Sequence, residues 1–324
     1  MTAHATGPRS VLFLSCDITG STAYKQRGAR WQRTFLSFYR EFPQVLGELV
    51  EAARPDLDFT LWKAIGDELI FTSAVSDERD VFDAVRIWID AMSKYEADSL
   101  GDEGLGTKGG AFIATVPGPD SQCAIPRDPV SQQSDKGIVT LNREALAEAD
   151  LTKYQYDYFG PSIDTGFRVV SVSSARFFTL AVEVAWAMQR CNHDAKDDPG
   201  RVGHQDLGDL QLLGTKLLKG VWREREYPVF ALDRQREDPV YKGLRELDGV
   251  SCDPEVVGRV CAACLASGGW PSAIYLPRST FEPFKTIPPD QLDGMDDNEM
   301  IGAETQQPPE GPAAQPLEDS PPFG

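Results

Sequence analysis

Apolar residues follow one another along the chain in two spacings, which predict alternating strands and helices. Residues 11–16 are almost all apolar, a run that is typical of a buried strand. Three later stretches place apolar residues three or four positions apart, as on one face of a helix. Their apolar positions are Trp31, Phe35, Phe38, Phe42, Leu46 and Leu49; Val81, Val85, Trp88 and Met92; and Phe177, Leu180, Ala181, Val184 and Met188. Pro43 falls inside the first helix and is expected to kink it.

Short apolar runs between these helices predict further strands. Residues 59–63 and 69–72 are two such runs, and Gly66 between them supplies the turn of a hairpin. Residues 111–116 and 227–232 predict two more strands. Long helices combined with a hairpin and with connections long enough for crossovers indicate an α+β fold, in which helices pack on a mixed sheet.

Composition changes along the chain and divides it into four segments. They are a flexible leader at 1–9, a main domain at 10–233, a small helical extension at 234–287 and a tail at 288–324. Within them, residues 118–137 are polar and indicate a surface loop, and residues 253–267 predict the helix of the extension. The tail holds eight prolines and nine acidic residues but no Lys or Arg. Such a segment cannot bury enough apolar area to fold alone, so we expect it to be disordered.

The overall composition excludes several classes of protein. Of the 324 residues, 41% are apolar, which suffices for a sizeable core. The net charge of -18 argues against a nucleic-acid-binding protein and against a basic patch that binds membranes. The apolar run near the N-terminus is too short for a membrane span or a signal peptide, so we expect a cytoplasmic protein without membrane contact.

Six cysteines without a signal segment are expected to be reduced thiols. Cys261 and Cys264 have the CxxC spacing of a zinc site, but no second such pair follows and the chain has only three histidines. We therefore interpret these two thiols as residues on the apolar side of a helix.

Two aspartates placed at predicted strand ends are the first candidates for chemistry. Asp17 ends the first strand, and Asp67 lies in the hairpin turn. Two such carboxylates can converge on a divalent cation, with the carbonyl oxygen of Ile18 as a further ligand. The following turn, which contains Ser21 and Thr22, leads towards a helix whose free N–H groups can receive a triphosphate. The alternative is that both aspartates are ordinary turn residues.

A third segment, residues 157–168, contains a further motif that can be compared together with those around the two aspartates. Together the three segments resemble the class III nucleotidyl cyclases, the adenylate and guanylate cyclase family, in motif order and spacing. The resemblance implies that Asp17 and Asp67 bind two Mg2+ or Mn2+ ions per site. It also implies that a nucleoside triphosphate is the substrate, and that the active sites are composite and form in a head-to-tail homodimer.

The same resemblance assigns roles to residues that lie outside the metal site. Lys63 and Asp157 match the family's residues that read the base, and Arg168 matches its transition-state arginine. Asp164 stands where the family has an Asn that orients the ribose, which is the clear departure from the family pattern.

The amino-acid sequences of these segments are most similar to those of the pyrimidine cyclases of Pycsar antiphage systems. Those cyclases signal to a separate cyclic-nucleotide effector. The resemblance implies that UTP is converted to cyclic UMP, with CTP as the alternative substrate. Because a purine needs the volume of a second ring, aromatic residues can select against it. Tyr24 is predicted to contact the substrate in this way, with Tyr156 and Phe159 as further candidates and ordinary core packing as the alternative for all three.

Three other functions remain open from the sequence. An adenylate cyclase fits the same motifs, and a catalytically silent cyclase-like domain could bind nucleotide without turning it over. A diguanylate cyclase is suggested by Gly66-Asp67-Glu68, but the second Gly before the aspartate and the Phe after the glutamate are missing.

Overall fold

The computed structural model describes residues 7–26, 31–128, 136–196, 207–248 and 252–295. Within them, eight strands form one mixed sheet, whose main path runs in the order β2-β3-β1-β5-β8-β10-β9, with β4 paired to β1. The strands are β1 (Arg9–Thr19), β2 (Phe59–Ile65), β3 (Glu68–Val75), β4 (Gly106–Lys108), β5 (Gly110–Val116), β6 (Ser121–Pro126), β7 (Tyr154–Phe159), β8 (Phe177–Leu180), β9 (Leu210–Leu217) and β10 (Glu226–Asp233). Strands β6 and β7 form a separate two-stranded sheet.

The α-helices surround this sheet. They are α1 (Ser21–Lys25), α2 (Trp31–Ala53), α3 (Glu78–Tyr95), α4 (Ile138–Glu148), α5 (Pro161–Val170), α6 (Val182–Lys196), α7 (Pro239–Asp248) and α8 (Pro254–Leu265). Pro43 lies inside α2. The neighbours of β1 are antiparallel to it, whereas β5 and β8 run parallel. The predicted α+β architecture with a mixed sheet is therefore confirmed.

The core has two layers because both faces of the central strand are covered. Leu12 and Leu14 of β1 lie in a large apolar cluster with residues of α2, α3 and α6. Phe13 points to the opposite face and joins a smaller cluster with Phe112 of β5 and Ile163 of α5. Alternate residues of a strand face opposite sides of a sheet, so one apolar run contributes to both clusters.

Two parts of the secondary structure differ from the sequence prediction. Residues 177–180 form strand β8, which pairs with β5 and β10, and the helix predicted through Phe177 begins only at Val182. A short apolar run fits a buried strand as well as a helix turn, and here its pairing with β5 and β10 makes it a strand. Residues 118–137, predicted as a loop, contain strand β6, which pairs with β7.

The segment after α8 is held by hydrogen bonds and an ion pair at several points. The Tyr275 N–H donates to the Ser10 hydroxyl at 3.0 Å, and Arg278 forms an ion pair with Asp80 at 2.9 Å. The Gln291 N–H donates to the Gly118 carbonyl at 3.3 Å. The part of the predicted disordered tail at 296–324 lies outside the described residues, as does most of the predicted leader.

In the part of the chain that the structure describes, no helix is both long and apolar enough to cross a membrane.

Candidate active site

Strand pairing brings Asp17 and Asp67 together. In β1, Asp17 lies opposite Glu68, the first residue of β3, and Asp67 directly precedes that residue in the turn from β2. Gly66 adopts a φ of 61° there, which favours glycine. The Ile18 N–H donates to the Asp67 carbonyl at 3.3 Å, so the turn is fixed against the end of β1. As a result the two carboxyl groups lie within hydrogen-bonding range of each other.

The two carboxyl groups have opposite pKa shifts. The pKa of Asp17 is raised to about 6. Burial is the main cause and the charge of Asp67 adds to it, whereas Lys108, 3.0 Å away, acts to lower it. Burial also acts to raise the pKa of Asp67, but a hydrogen bond from the Ser21 hydroxyl and the charge of Lys25 at 3.5 Å outweigh it and lower this pKa. Asp17 therefore holds the proton more strongly than Asp67 does. Burial raises the pKa of Asp17 because a desolvated carboxyl group favours its neutral form.

This arrangement fits a divalent cation. Mg2+ is commonly held by one or two carboxylates together with substrate phosphates and water. Among the described residues, no group of three or more His, Cys, Asp and Glu side chains is arranged to hold a metal ion. Two half-buried carboxyl groups side by side are the feature that such a cation would neutralise.

Lys108 lies beside Asp17, and an ion pair between Glu96 and Arg234 fixes Thr107, the residue that precedes it in β4. One oxygen of Glu96 accepts the Thr107 N–H at 2.6 Å, and the other accepts from Arg234 at 2.9 Å. Arg234 also donates to the Thr107 carbonyl at 2.9 Å. With both backbone groups of Thr107 fixed, the next residue presents its ammonium group to Asp17.

The residues predicted to receive the triphosphate follow β1. Ser21 begins α1 and is buried, where its hydroxyl bonds to Asp67, while Thr22 is exposed. Ile18 is buried in the strand. Tyr24 is also buried, and its hydroxyl lies 3.0 Å from that of Thr34 on α2. The contacts of Ser21, Thr22 and Tyr24 with substrate, and of the Ile18 carbonyl oxygen with a metal ion, stay predictions.

Lys63 and Asp157 lie on different sheets but meet through their side chains. The Lys63 ammonium donates to Asp157 Oδ2 at 2.9 Å. Asp157 Oδ1 accepts the indole N–H of Trp62 at 3.1 Å and the Tyr158 N–H at 2.8 Å. The two residues predicted to read a base thus form one ion pair, in which a donor lies next to an acceptor.

Helix α5 carries Asp164 and Arg168. It begins with Pro161, a residue suited to the first turn, and the buried carboxylate of Asp120 accepts the Ser162 N–H at 2.9 Å. A Cβ at Gly166 would lie 2.1 Å from the Phe112 ring, so the helix packs directly on β5.

On the outer side of α5, Asp164 is exposed and Arg168 is half-buried. The guanidinium of Arg168 donates to the Asp164 carbonyl at 2.6 Å. Within the described part of one chain, neither residue makes a hydrogen bond or ion pair with Asp17 or Asp67.

The sequence interpretation missed Trp62, Lys25 and Lys108. Lys25 stands four residues after Ser21, a spacing that puts both on one side of a helix and could have indicated it. Nothing in the local sequence indicates Lys108, because strand pairing brings it to Asp17. Trp62 adjoins Lys63, and adjacent residues of a regular strand face opposite sides of the sheet. No local pattern therefore places both side chains at Asp157.

The CxxC pair lies on α8. Cys261 and Cys264 are both buried, and burial raises the pKa of each thiol. These are inert thiols on the apolar side of a helix, as the sequence predicted.

No model of a known protein family matches the sequence, and no curated protein matches it either. Among solved structures, the adenylyl cyclase CyaB from P. aeruginosa is similar with a TM-score of 0.45 and 14% identity, over 70% of this chain and 94% of that one. The guanylyl cyclase Cya2 has a TM-score of 0.43 and 14% identity, over 70% and 92%. The guanylate cyclase domain of RhGC from Catenaria anguillulae, in complex with GTP, has a TM-score of 0.44 and 13% identity, over 70% and 98%. At such identities, what this chain acts on has to be argued from its own residues.

Proposed function

We propose that the chain is a nucleotidyl cyclase, which converts a nucleoside triphosphate into a 3′,5′-cyclic nucleotide and pyrophosphate. The observation that carries this proposal is the close approach of the Asp17 and Asp67 carboxyl groups at the ends of paired strands. The ribose 3′-oxygen attacks the α-phosphorus, its proton passes to solvent, and pyrophosphate leaves as the bond between the α-phosphorus and the bridging oxygen breaks.

Asp17, Asp67 and the carbonyl oxygen of Ile18 would hold two Mg2+ or Mn2+ ions. Such ions lower the pKa of a bound hydroxyl and neutralise phosphate charge. The half-buried position of both carboxylates keeps them from being fully solvated, which favours their binding of cations. Lys25 and Lys108, which contact these carboxylates, lie where they can turn to the phosphates.

The base is read by Lys63 and Asp157 in this proposal. Lys63 offers N–H donors, and Asp157 Oδ2 offers an acceptor beside it. Uracil and cytosine each present one donor and one acceptor on adjacent positions of the ring edge, so the pair can bind either. The similarity of the motifs to pyrimidine cyclases favours UTP over CTP, and either over the purine nucleotides.

Arg168 is assigned to the transition state, where a guanidinium stabilises charge on the transferring phosphorus. Because Arg168 does not contact the carboxylates of its own chain, we propose that it acts on the Asp17 and Asp67 site of a second copy. The apolar side chains of Leu36, Leu61 and Ile65 are 61%, 49% and 51% exposed on α2 and β2, which supports a dimer contact near this edge. Asp164, one turn before Arg168, is assigned to the ribose of the same site.

The proposed biological role is an antiphage alarm in the cytoplasm. The cyclic nucleotide would act as a second messenger that a separate effector protein detects. The motif similarity to Pycsar cyclases supports this role.

The decisive experiment is incubation of the purified protein with each of the four nucleoside triphosphates and Mn2+, followed by mass spectrometry of the products. Cyclic UMP is the expected main product, with cyclic CMP second. Cyclic AMP as the dominant product would overturn the pyrimidine assignment but keep the cyclase. No cyclic product from any of the four would favour a silent nucleotide-binding domain.

An Asp98→Asn variant provides the matched control. Asp98 is an exposed carboxylate whose ion pair with Lys94 lies outside the site. The variant to which it is matched is Asp17→Asn, which should abolish the product. Asp98→Asn also removes one negative charge but should leave the products and their amounts unchanged.

A further inference from the structure

Strand β2 contains a bulge at the point where it approaches Asp157. Its register against β3 pairs Leu61 with Phe71 and Lys63 with Ile70, so Trp62 is an extra residue. Adjacent residues of a regular strand face opposite sides of the sheet. Here Trp62 and Lys63 both bond to the same carboxylate, which only an interruption of the alternation allows.

The contacts of Asp157 leave little freedom to this carboxylate. Oδ1 accepts from the Trp62 indole and from the Tyr158 backbone, which uses both of its lone-pair directions. Oδ2 accepts from Lys63 and keeps one direction open. A ligand N–H can therefore approach only at Oδ2, directly beside the Lys63 ammonium group.

The indole itself is fixed by aromatic packing. The Trp62 ring lies 4.8 Å from Phe13, 5.8 Å from Tyr158 and 6.0 Å from Phe167, measured between ring centroids. On one face the Lys63 ammonium lies 4.3 Å from the ring centroid, a cation–π contact. Trp62 thus holds the donor and the acceptor at once, one through its ring and the other through its N–H group.

We propose that Trp62 is a positioning residue that determines base specificity, because it sets the spacing between the Lys63 donor and the open position on Asp157 Oδ2. This inference rests on the proposed function and deepens it. Without the indole N–H, Asp157 is held only by the Tyr158 N–H and by Lys63, so its carboxylate can tilt and accept bases with different donor and acceptor spacing. The effect falls on the recognition of the base, hence on KM more than on kcat.

The test compares Trp62→Phe, which keeps an aromatic ring but lacks the N–H group, with Trp222→Phe. Trp222 donates its indole N–H to the Ser267 hydroxyl at 2.8 Å, so this control also loses an indole hydrogen bond, one that does not involve Asp157. For each variant, kcat and KM are measured with all four nucleoside triphosphates. The ratio of kcat/KM between the preferred and the poorest nucleotide should fall about tenfold in Trp62→Phe, the size expected for a hydrogen bond to a charged group, and stay unchanged in Trp222→Phe.

Binding measurements keep the test independent of turnover. The α,β-methylene analogues of the four nucleotides cannot release pyrophosphate, so calorimetry gives their Kd values directly. If the wild-type chain turns over no nucleotide but discriminates among the analogues, the proposed function fails, while a loss of that discrimination in Trp62→Phe still supports the role of Trp62. Equal discrimination by both proteins overturns that role, whether or not the chain is a cyclase.

A double-mutant cycle with Asp157→Asn shows whether Trp62 acts through this carboxylate. If it does, Trp62→Phe changes discrimination much less in the Asp157→Asn background than in the wild type. Fully additive effects would contradict the inference. Trp62→Leu, which has no hydrogen-bond donor in its side chain, replaces Trp62→Phe if that variant does not give the wild-type circular dichroism spectrum.

Discussion

Asp17 and Asp67 lie 50 positions apart in the sequence, yet their carboxyl groups come within hydrogen-bonding range, and only Asp17 has a raised pKa, of about 6. The turn that carries Asp67 bonds to the residue after Asp17, so strand pairing alone fixes this contact. In the proposed cyclase these two adjacent carboxylates bind the cations.

Asp17→Asn and Asp67→Asn should each lower cyclase activity by orders of magnitude, because each variant loses a carboxylate ligand. Neither residue is part of the apolar core, so the folded structure should persist. Activity with saturating Mn2+ and the thermal unfolding curve are the measurements. Near-normal turnover in either variant would contradict the assignment of the metal site.

Composite active sites predict complementation between two inactive chains. Asp17→Asn and Arg168→Ala should each be inactive alone, whereas a heterodimer of the two has one site with both defects and one with neither. With random pairing and independent sites, about a quarter of wild-type activity should return. The activity of co-expressed, differently tagged chains is the measurement.

One control completes this complementation experiment. Pull-down through one tag shows whether heterodimers have formed. Stable heterodimers without recovered activity would mean that each site lies within one chain or that the two sites are strongly coupled.

Glu183→Gln should change how stability depends on pH. Burial raises the pKa of Glu183 from 4.5 to about 7, although its hydrogen bond from Trp270 acts in the opposite direction. The favourable contribution of the neutral carboxyl group is complete below pH 4.5 and is lost as the pH rises to about 7.

Gln does not ionise, so the free energy of unfolding of the variant lacks this loss. Between pH 5.5 and pH 8 the variant should gain about 2 kcal/mol relative to the wild type. Urea denaturation at both pH values is the measurement, and Glu282→Gln, which alters an exposed residue, is the control. An equal change in both variants would mean that folding does not raise the pKa of Glu183.

Removal of residues 296–324 should leave the catalytic rate unchanged. The sequence places the start of the tail at Pro288, but Arg143 donates to the Leu292 carbonyl at 3.1 Å and Gln291 bonds to Gly118, so the cut belongs after Met295. Initial rates of the full-length and shortened chains are the measurement. A large loss of rate with an unchanged thermal transition would show that the tail takes part in catalysis.

Local patterns predicted most of the fold, and long-range pairing accounts for what they missed. The apolar face of α3 and the run in β1 were readable because burial on one or two sides imposes a period. The run at 177–180 fits two structures, and only its position between β5 and β10 selects the strand. Asp17 and Asp67 were found because polar residues at strand ends stand out in sequence. Lys108 and Trp62 reach the site through a register and a bulge, which no local pattern encodes.

The contact between Gly166 and Phe112 has a consequence for how the protein can evolve. Even a methyl group at position 166 would overlap the Phe112 ring, so any larger residue must lift α5 away from the sheet. Arg168 lies two positions later on the same helix and would move with it. Gly166 therefore determines the position of the Arg168 guanidinium, and in the proposed cyclase a larger residue at this buried position should lower activity as well as stability.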